Sequence, residues 1–114
     1  MTADVRPWGS FVVIADLPYA KVKRLTVNPG HRFSYQSHKH RDEHWIVVQG
    51  VARVTLNDET KDYKYGDHIF FARGTKHRLA CASDEPVEII EVQVGESFGE
   101  DDIVRYEDDY GRIE

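Results

Sequence analysis

Apolar and polar residues alternate along most of the chain in short runs rich in β-branched and aromatic side chains, and no window sustains a helical period. The alternation predicts strands over residues 11–15, 22–27, 33–38, 44–49, 52–56, 68–71, 77–81 and 87–94. Turn chemistry separates them: Asn28-Pro29-Gly30, Gln49-Gly50, Asn57-Asp58, Tyr65-Gly66-Asp67, Arg73-Gly74 and Ser83-Asp84. Strands at this spacing predict an all-β sandwich or jelly-roll barrel. Residues 1–10 read as an N-terminal arm that Trp8, between Pro7 and Gly9, pins to the barrel. Residues 95–114 are acidic and less periodic; they are expected to form a short helix, an extended arm over the barrel, or a solvated end.

Length and composition narrow the picture. A chain of 114 residues fits a single domain over 1–114. A hydrophobic share of 40% and a charged share of 31% are ordinary for a globular protein, and no apolar run approaches the roughly 20 residues of a membrane helix. No membrane association is therefore expected. The first residues lack the basic start and apolar stretch of a secretory signal, so the expected location is cytoplasmic. A formal charge of −5 argues against nucleic acid as a partner, because such binding depends on many phosphate contacts by Lys and Arg. The lone cysteine, Cys81, reads as a small buried residue.

Histidine changes the picture more. Of six histidines, His31, His38, His40 and His44 fall close together. Gly30 is followed by five residues and then Gln36-Ser37-His38; four more lead to Glu43 and six more to Gly50. In a strand Gln36 and His38 project from one face, and a hairpin returns Glu43 beside them. Further on, Gly66 is followed by five residues, Ala72-Arg73-Gly74, two more, and His77. These four donors suit one divalent ion, zinc first, with manganese, cobalt, nickel and iron as alternatives. His40 shares the parity of His38: it is the alternative ligand to Gln36, or a surface histidine. His44 is expected to face the opposite side, with His31 and His68 exposed. Trp45, on the side of Glu43, reads as core or as a wall of the cavity.

The two glycine-anchored spacings resemble the paired motifs of the cupin superfamily, whose metal ligands are two histidines, a glutamate and a third histidine. Gln36 stands at the first histidine position, and Ala72 where a proline is usual. A finer resemblance, to the type II phosphomannose isomerase domain, runs through Arg6-Pro7-Trp8-Gly9, Val22-Lys23-Arg24, the stretch from Gln36 to Val48, Gly74-Thr75-Lys76-His77-Arg78-Leu79 and Gly99-Glu100-Asp101-Asp102-Ile103-Val104-Arg105. In that family glutamine is the expected residue at position 36. The domain is usually the C-terminal part of a bifunctional enzyme that also carries a mannose-1-phosphate guanylyltransferase domain, and 114 residues leave no room for that partner.

The resemblance implies a cupin jelly roll, a homodimer, and a metal-dependent isomerase that interconverts mannose 6-phosphate and fructose 6-phosphate. A metal ion near the carbonyl and adjacent hydroxyl would stabilise the charge of an enediolate. A base must carry the proton between two carbons, and the candidates are His40 and Glu91. Glu91 is a candidate because a carboxylate in the apolar run Ile89-Ile90-Glu91-Val92 is expensive without a partner or a task. Arg41, Lys76, Arg78 and Arg105 are candidates for gripping the phosphate of a small phosphorylated sugar. Two other readings compete: a metal-bearing sugar-phosphate or metabolite binding module without catalysis, and another metal-dependent cupin enzyme such as a dioxygenase.

Overall fold

The computed structural model describes residues 2–99 and 102–110. Eleven strands form among them: β1 (Ala3–Arg6), β2 (Gly9–Asp16), β3 (Ala20–Val27), β4 (Tyr35–His38), β5 (Arg41–Gln49), β6 (Ala52–Leu56), β7 (Glu59–Tyr63), β8 (His68–Phe71), β9 (His77–Cys81), β10 (Val87–Gly95) and β11 (Ile103–Glu107). They make two antiparallel sheets, one ordered β1-β2-β3-β10-β5-β8 and the other β11-β4-β9-β6-β7. The architecture is the all-β jelly roll that the alternation predicts.

All eight expected strands are present, those over 52–56, 68–71 and 77–81 with the expected ends and the others with shifted ones. The fourth begins at Tyr35 rather than 33, because Phe33 turns into the core and the chain there makes only an isolated bridge, Arg32 to Ala80. Three further strands were not anticipated. β1 is the N-terminal arm paired on β2. β7 is exposed on nearly every residue and has no apolar face to betray it; Asn57 and Asp58, both at positive φ, close its hairpin with β6. β11 lies along β4, so the tail is an extended arm and not a helix over these residues. Glu100 and Asp101 of the acidic run, and residues 111–114, lie outside the described residues.

Between the sheets lies a core of Leu25, Val27, Phe33, Trp45, Val47, Val54, Ile69, Phe71, Leu79, Val87 and Ile89. Period-two alternation places these on inward faces: Leu25 and Val27 on β3, Trp45 and Val47 on β5, Val87 and Ile89 on β10. Trp8 joins them edge-on to Phe33, ring centroids 5.6 Å apart, and so pins the arm as expected. At one end of the sandwich the same inward faces turn polar. β3 continues inward to Lys23, β5 to Glu43 and Arg41, β10 to Glu91 and Gln93. That change of character, on strands whose register the apolar half fixes, creates the site.

Candidate metal centre

Two turns deliver the donors. Lys39 and His40 form the bend between β4 and β5, and Gly95 packs so closely on it that a Cβ there would overlap the His40 carbonyl. Gly74, at φ +85°, donates its N–H to the His38 carbonyl at 2.7 Å and ties the turn before His77 to the end of β4. Gln36 and His77 are direct register partners across β4 and β9.

His38, Glu43 and His77 are buried and converge, their ligand atoms within 4.8 Å of one another. His38 Nε2 lies 3.4 Å from Glu43 Oε2, and His77 Nε2 lies 3.6 Å from Glu43 Oε1. The proton positions follow from the partners. His77 donates from Nδ1 to the Thr75 carbonyl at 3.0 Å, which leaves the Nε2 lone pair facing Glu43, buried and without a hydrogen-bond partner. Arg41 can only donate, so at 3.1 Å from Arg41 Nη2 the His38 Nε2 is an acceptor and Nδ1 carries the hydrogen. Burial, with Arg41 and His77 nearby, depresses the His38 pKa to about 2, and burial depresses that of His77 to about 4. Two neutral imidazoles aimed at one carboxylate, each with a buried nitrogen lacking a partner (His38 Nδ1 and His77 Nε2), are the protonation state a divalent ion requires, so the residues fit the metal that the fold family implies.

Beside this triad, and lined by its Glu43, lies a cavity of about 70 Å³. Gln36 lines it, its Oε1 accepting from Ser34 Oγ at 2.8 Å. Glu91 lines it too, 4% exposed, with Oε2 accepting from Trp45 Nε1 and Oε1 from Gln93 Nε2, each at 2.8 Å. Burial and the neighbouring Glu43 push the Glu91 carboxyl up to about 8. Trp45 is core and not cavity wall: it is fully buried, edge-on to His77 at 5.8 Å, and does not line the cavity.

Of the expected anion-gripping residues, Arg41 and Arg105 line the cavity. Arg41 is 5% exposed and donates from Nε to Glu43 Oε2 at 2.8 Å. Arg105 keeps a buried Nε with no hydrogen-bond partner. Arg78 and Lys76 are placed elsewhere. Arg78 points away from His77, as strand parity demands, and is spent on the Phe33 carbonyl and on Glu107, fastening the end of β11. Lys76 lies over the Tyr106 ring at 4.6 Å. His40 is also outside the cavity lining. The strand ends at His38, parity no longer applies, and the His40 side chain is 60% exposed above Asp102. Asp102 itself caps the bend, accepting from the Lys39 and His40 amides at 3.1 and 3.0 Å.

The chain's residues 2–108 match the family model described as mannose-6-phosphate isomerase C-terminal. The chain belongs to that family. The xanthan biosynthesis protein XanB of Xanthomonas campestris pv. campestris (strain B100) is 49% identical over 107 residues, which are 94% of this chain but 23% of that protein. This mannose-6-phosphate isomerase C-terminal domain therefore spans about a quarter of the curated relatives it matches. Among solved structures, KdgF from Halomonas superposes with a TM-score of 0.76 at 20% identity, covering 89% of this chain and 90% of that one. A sugar phosphate isomerase of the cupin superfamily from Silicibacter pomeroyi superposes with a TM-score of 0.69 at 21% identity, covering 75% of this chain and 58% of that one. At these identities the likeness establishes the fold, a cupin double-stranded β-helix.

Four cavity residues of this family member escaped sequence reasoning in their role: Arg6, Lys23, Gln93 and Phe98. Lys23 and Gln93 carried a signal. Lys23 has the parity of inward Leu25 and Val27, and Gln93 that of inward Ile89 and Glu91. Burial holds the Lys23 pKa below its usual value, against the pull of Glu91. Arg6 and Phe98 come from the arm and the tail, where no alternation announces a face.

Proposed function

We propose that this domain is a metal-dependent aldose–ketose isomerase acting on mannose 6-phosphate and fructose 6-phosphate. The observation that carries the reading is the buried His38–Glu43–His77 cluster beside one cavity that Glu43 shares with the buried acid Glu91 and the cations Arg6, Lys23, Arg41 and Arg105. His38, Glu43 and His77, with Gln36 as fourth donor, would hold the ion. Bound there, it supplies Lewis-acid stabilisation of negative charge on sugar oxygens.

The chain's own groups do the rest. Glu91, once it has released to solvent the proton that its raised pKa of about 8 keeps on it near neutral pH, takes a proton from one carbon of the sugar and returns it to the next. Its Oε atoms are fixed by Trp45 and Gln93, and fixed geometry is the first requirement of such a group. His40, outside the cavity, is not given that role. Arg41 and Arg105, with Arg6 and Lys23, bind the phosphate, where guanidinium forks match its oxygens. Trp8, Phe11 and Phe33 wall the cavity and limit access of water to the reacting carbons.

The test is a coupled isomerase assay on metal-reconstituted protein with several hexose phosphates. Turnover of mannose 6-phosphate above that of the unphosphorylated sugar is the expected result. Sugar-phosphate binding without turnover would favour the binding module, and metal-dependent oxygen uptake the dioxygenase.

A further inference from the structure

Strand β5 carries chemistry on both faces. Glu43 points into the cavity, and the next residue, His44, points out from the opposite face of the sheet. On that face β5 pairs with β8 in a register that opposes His44 to Phe70 and Ile46 to His68. His44 and His68 are therefore diagonal neighbours, and their rings meet: His44 Nδ1 lies 3.1 Å from His68 Nε2. The ring planes are 6° apart but the centroids are 5.3 Å apart. That separation is too long for face-to-face stacking at such a nitrogen distance, so the rings lie nearly coplanar and share one proton edge to edge. Phe70 packs against His44 at 4.8 Å and steadies it.

From this arrangement we infer a second metal site on the outer face of the sheet, in which His44 Nδ1 and His68 Nε2 chelate one borderline-soft divalent cation such as Cu²⁺, Ni²⁺ or Zn²⁺. Two imidazole nitrogens on a tetrahedral ion at bonds of about 2.0–2.1 Å stand about 3.3 Å apart. The observed 3.1 Å is close to that bite. When an ion takes its place, the shared proton moves to the other nitrogen of the donor ring; the exchange needs a tilt of the half-buried His44 ring and the exposed His68 ring and no movement of the strands. The pair offers imidazole nitrogens only, without a carboxylate, which favours these ions over Mg²⁺, Ca²⁺ and Mn²⁺. The nearest acid on the same face of β5, Asp42, is taken by Arg73, which donates to it from the backbone at 2.8 Å and from the side chain at 3.3 Å. The remaining coordination positions face solvent.

The site is independent of the cavity cluster, and the two fail separately. Equilibrium dialysis of the full chain against Ni²⁺, followed by elemental analysis, is expected to give two ions per chain for the wild type. His68→Ala and His44→Asn should each give one, with the melting temperature of the metal-free protein unchanged. The His38→Ala/His77→Ala variant should also give one, and its Cu²⁺ complex should show nitrogen hyperfine structure by electron paramagnetic resonance. Unchanged stoichiometry in His68→Ala would overturn the assignment. So would a second ion in the wild type that survives loss of both His44 and His68.

Discussion

Trp45 donates its indole N–H to Glu91 Oε2 at 2.8 Å, and the two residues are direct register partners on β5 and β10. The bond ties the fully buried Trp45 to the buried acid proposed above to move a proton. Replacing Trp45 by Phe removes the donor and leaves a buried oxygen short of a partner, a loss of about 1–3 kcal/mol before any cavity term. Urea unfolding of Trp45→Phe, Glu91→Gln and the double variant should show coupling of about 1 kcal/mol or more between them. Additive losses would mean that the bond contributes nothing.

How much of this was legible in the sequence follows the same strands. Where an inward face is apolar, as on β3, β5 and β10, alternation reports both strand and face. Where it turns polar, alternation still reports the face but not its purpose. Lys23 and Gln93 were readable as inward yet give no reason to be a site until Glu91 and Glu43 are seen opposite them. The convergence of His38, Glu43 and His77 was readable because glycine turns fix their spacing. His40 misled because its parity was counted past the end of β4. Arg78 misled because charge was read without direction: its place beside inward His77 sends it outward to Glu107. β11 was hidden because its partner, β4, lies some 65 residues back in sequence, a distance over which local pattern carries no information.

Because His38, Glu43 and His77 sit on β4, β5 and β9, which span both sheets, an ion held by all three links the sheets and favours the folded state by mass action. At free metal about 100 times the dissociation constant this amounts to about 2.7 kcal/mol. Chelation should lower the melting temperature of wild type correspondingly. In a His77→Ala variant, carried in the His68→Ala background to remove the outer pair, the melt should no longer respond to chelator. A wild-type melt indifferent to metal would count against a site joining the strands.

The segment just after β11 is pinned by Arg32, which donates to both Asp109 oxygens at 2.7 and 2.9 Å, and by Tyr110, which meets His31 Nδ1 at 2.8 Å. The Arg32 guanidinium holds the Asp109 carboxyl below the usual range. A depressed carboxyl stabilises the fold above its unfolded pKa of about 3.9, and that contribution is lost as pH falls through the folded value. Both side chains are 44% exposed, so screening limits the pair to about 0.2–1 kcal/mol. The expected result is faster amide exchange in the segment after β11 for Asp109→Asn near neutral pH, shrinking in high salt, with the core strands unaffected. Equal exchange in both proteins would remove the pin.

Arg41 and Arg105 both face the cavity, but they are held differently, and that difference separates their roles. Arg41 is paired to Glu43 and hydrogen-bonded to His38. Arg105 has a buried Nε with nothing to donate to. If both bind the phosphate, each substitution by Ala removes a charge-assisted contact of about 1.5–3 kcal/mol, roughly ten- to more than a hundredfold in kcat/KM for the phosphorylated sugar. Arg41→Lys should recover only part, since an ammonium keeps the charge without the fork. Stability should divide them. Arg41→Ala leaves the Glu43 carboxylate buried without its counter-ion and should destabilise the metal-free protein, the loss being recovered when metal is added. Arg105→Gln relieves an unsatisfied buried N–H and should leave the melt unchanged or raise it, while still weakening turnover. Kinetics and melts of the three variants, each with and without metal, decide this. If Arg105→Gln turns over phosphorylated sugar as wild type does, Arg105 is not the phosphate's partner, and that task falls to Arg41, Arg6 and Lys23.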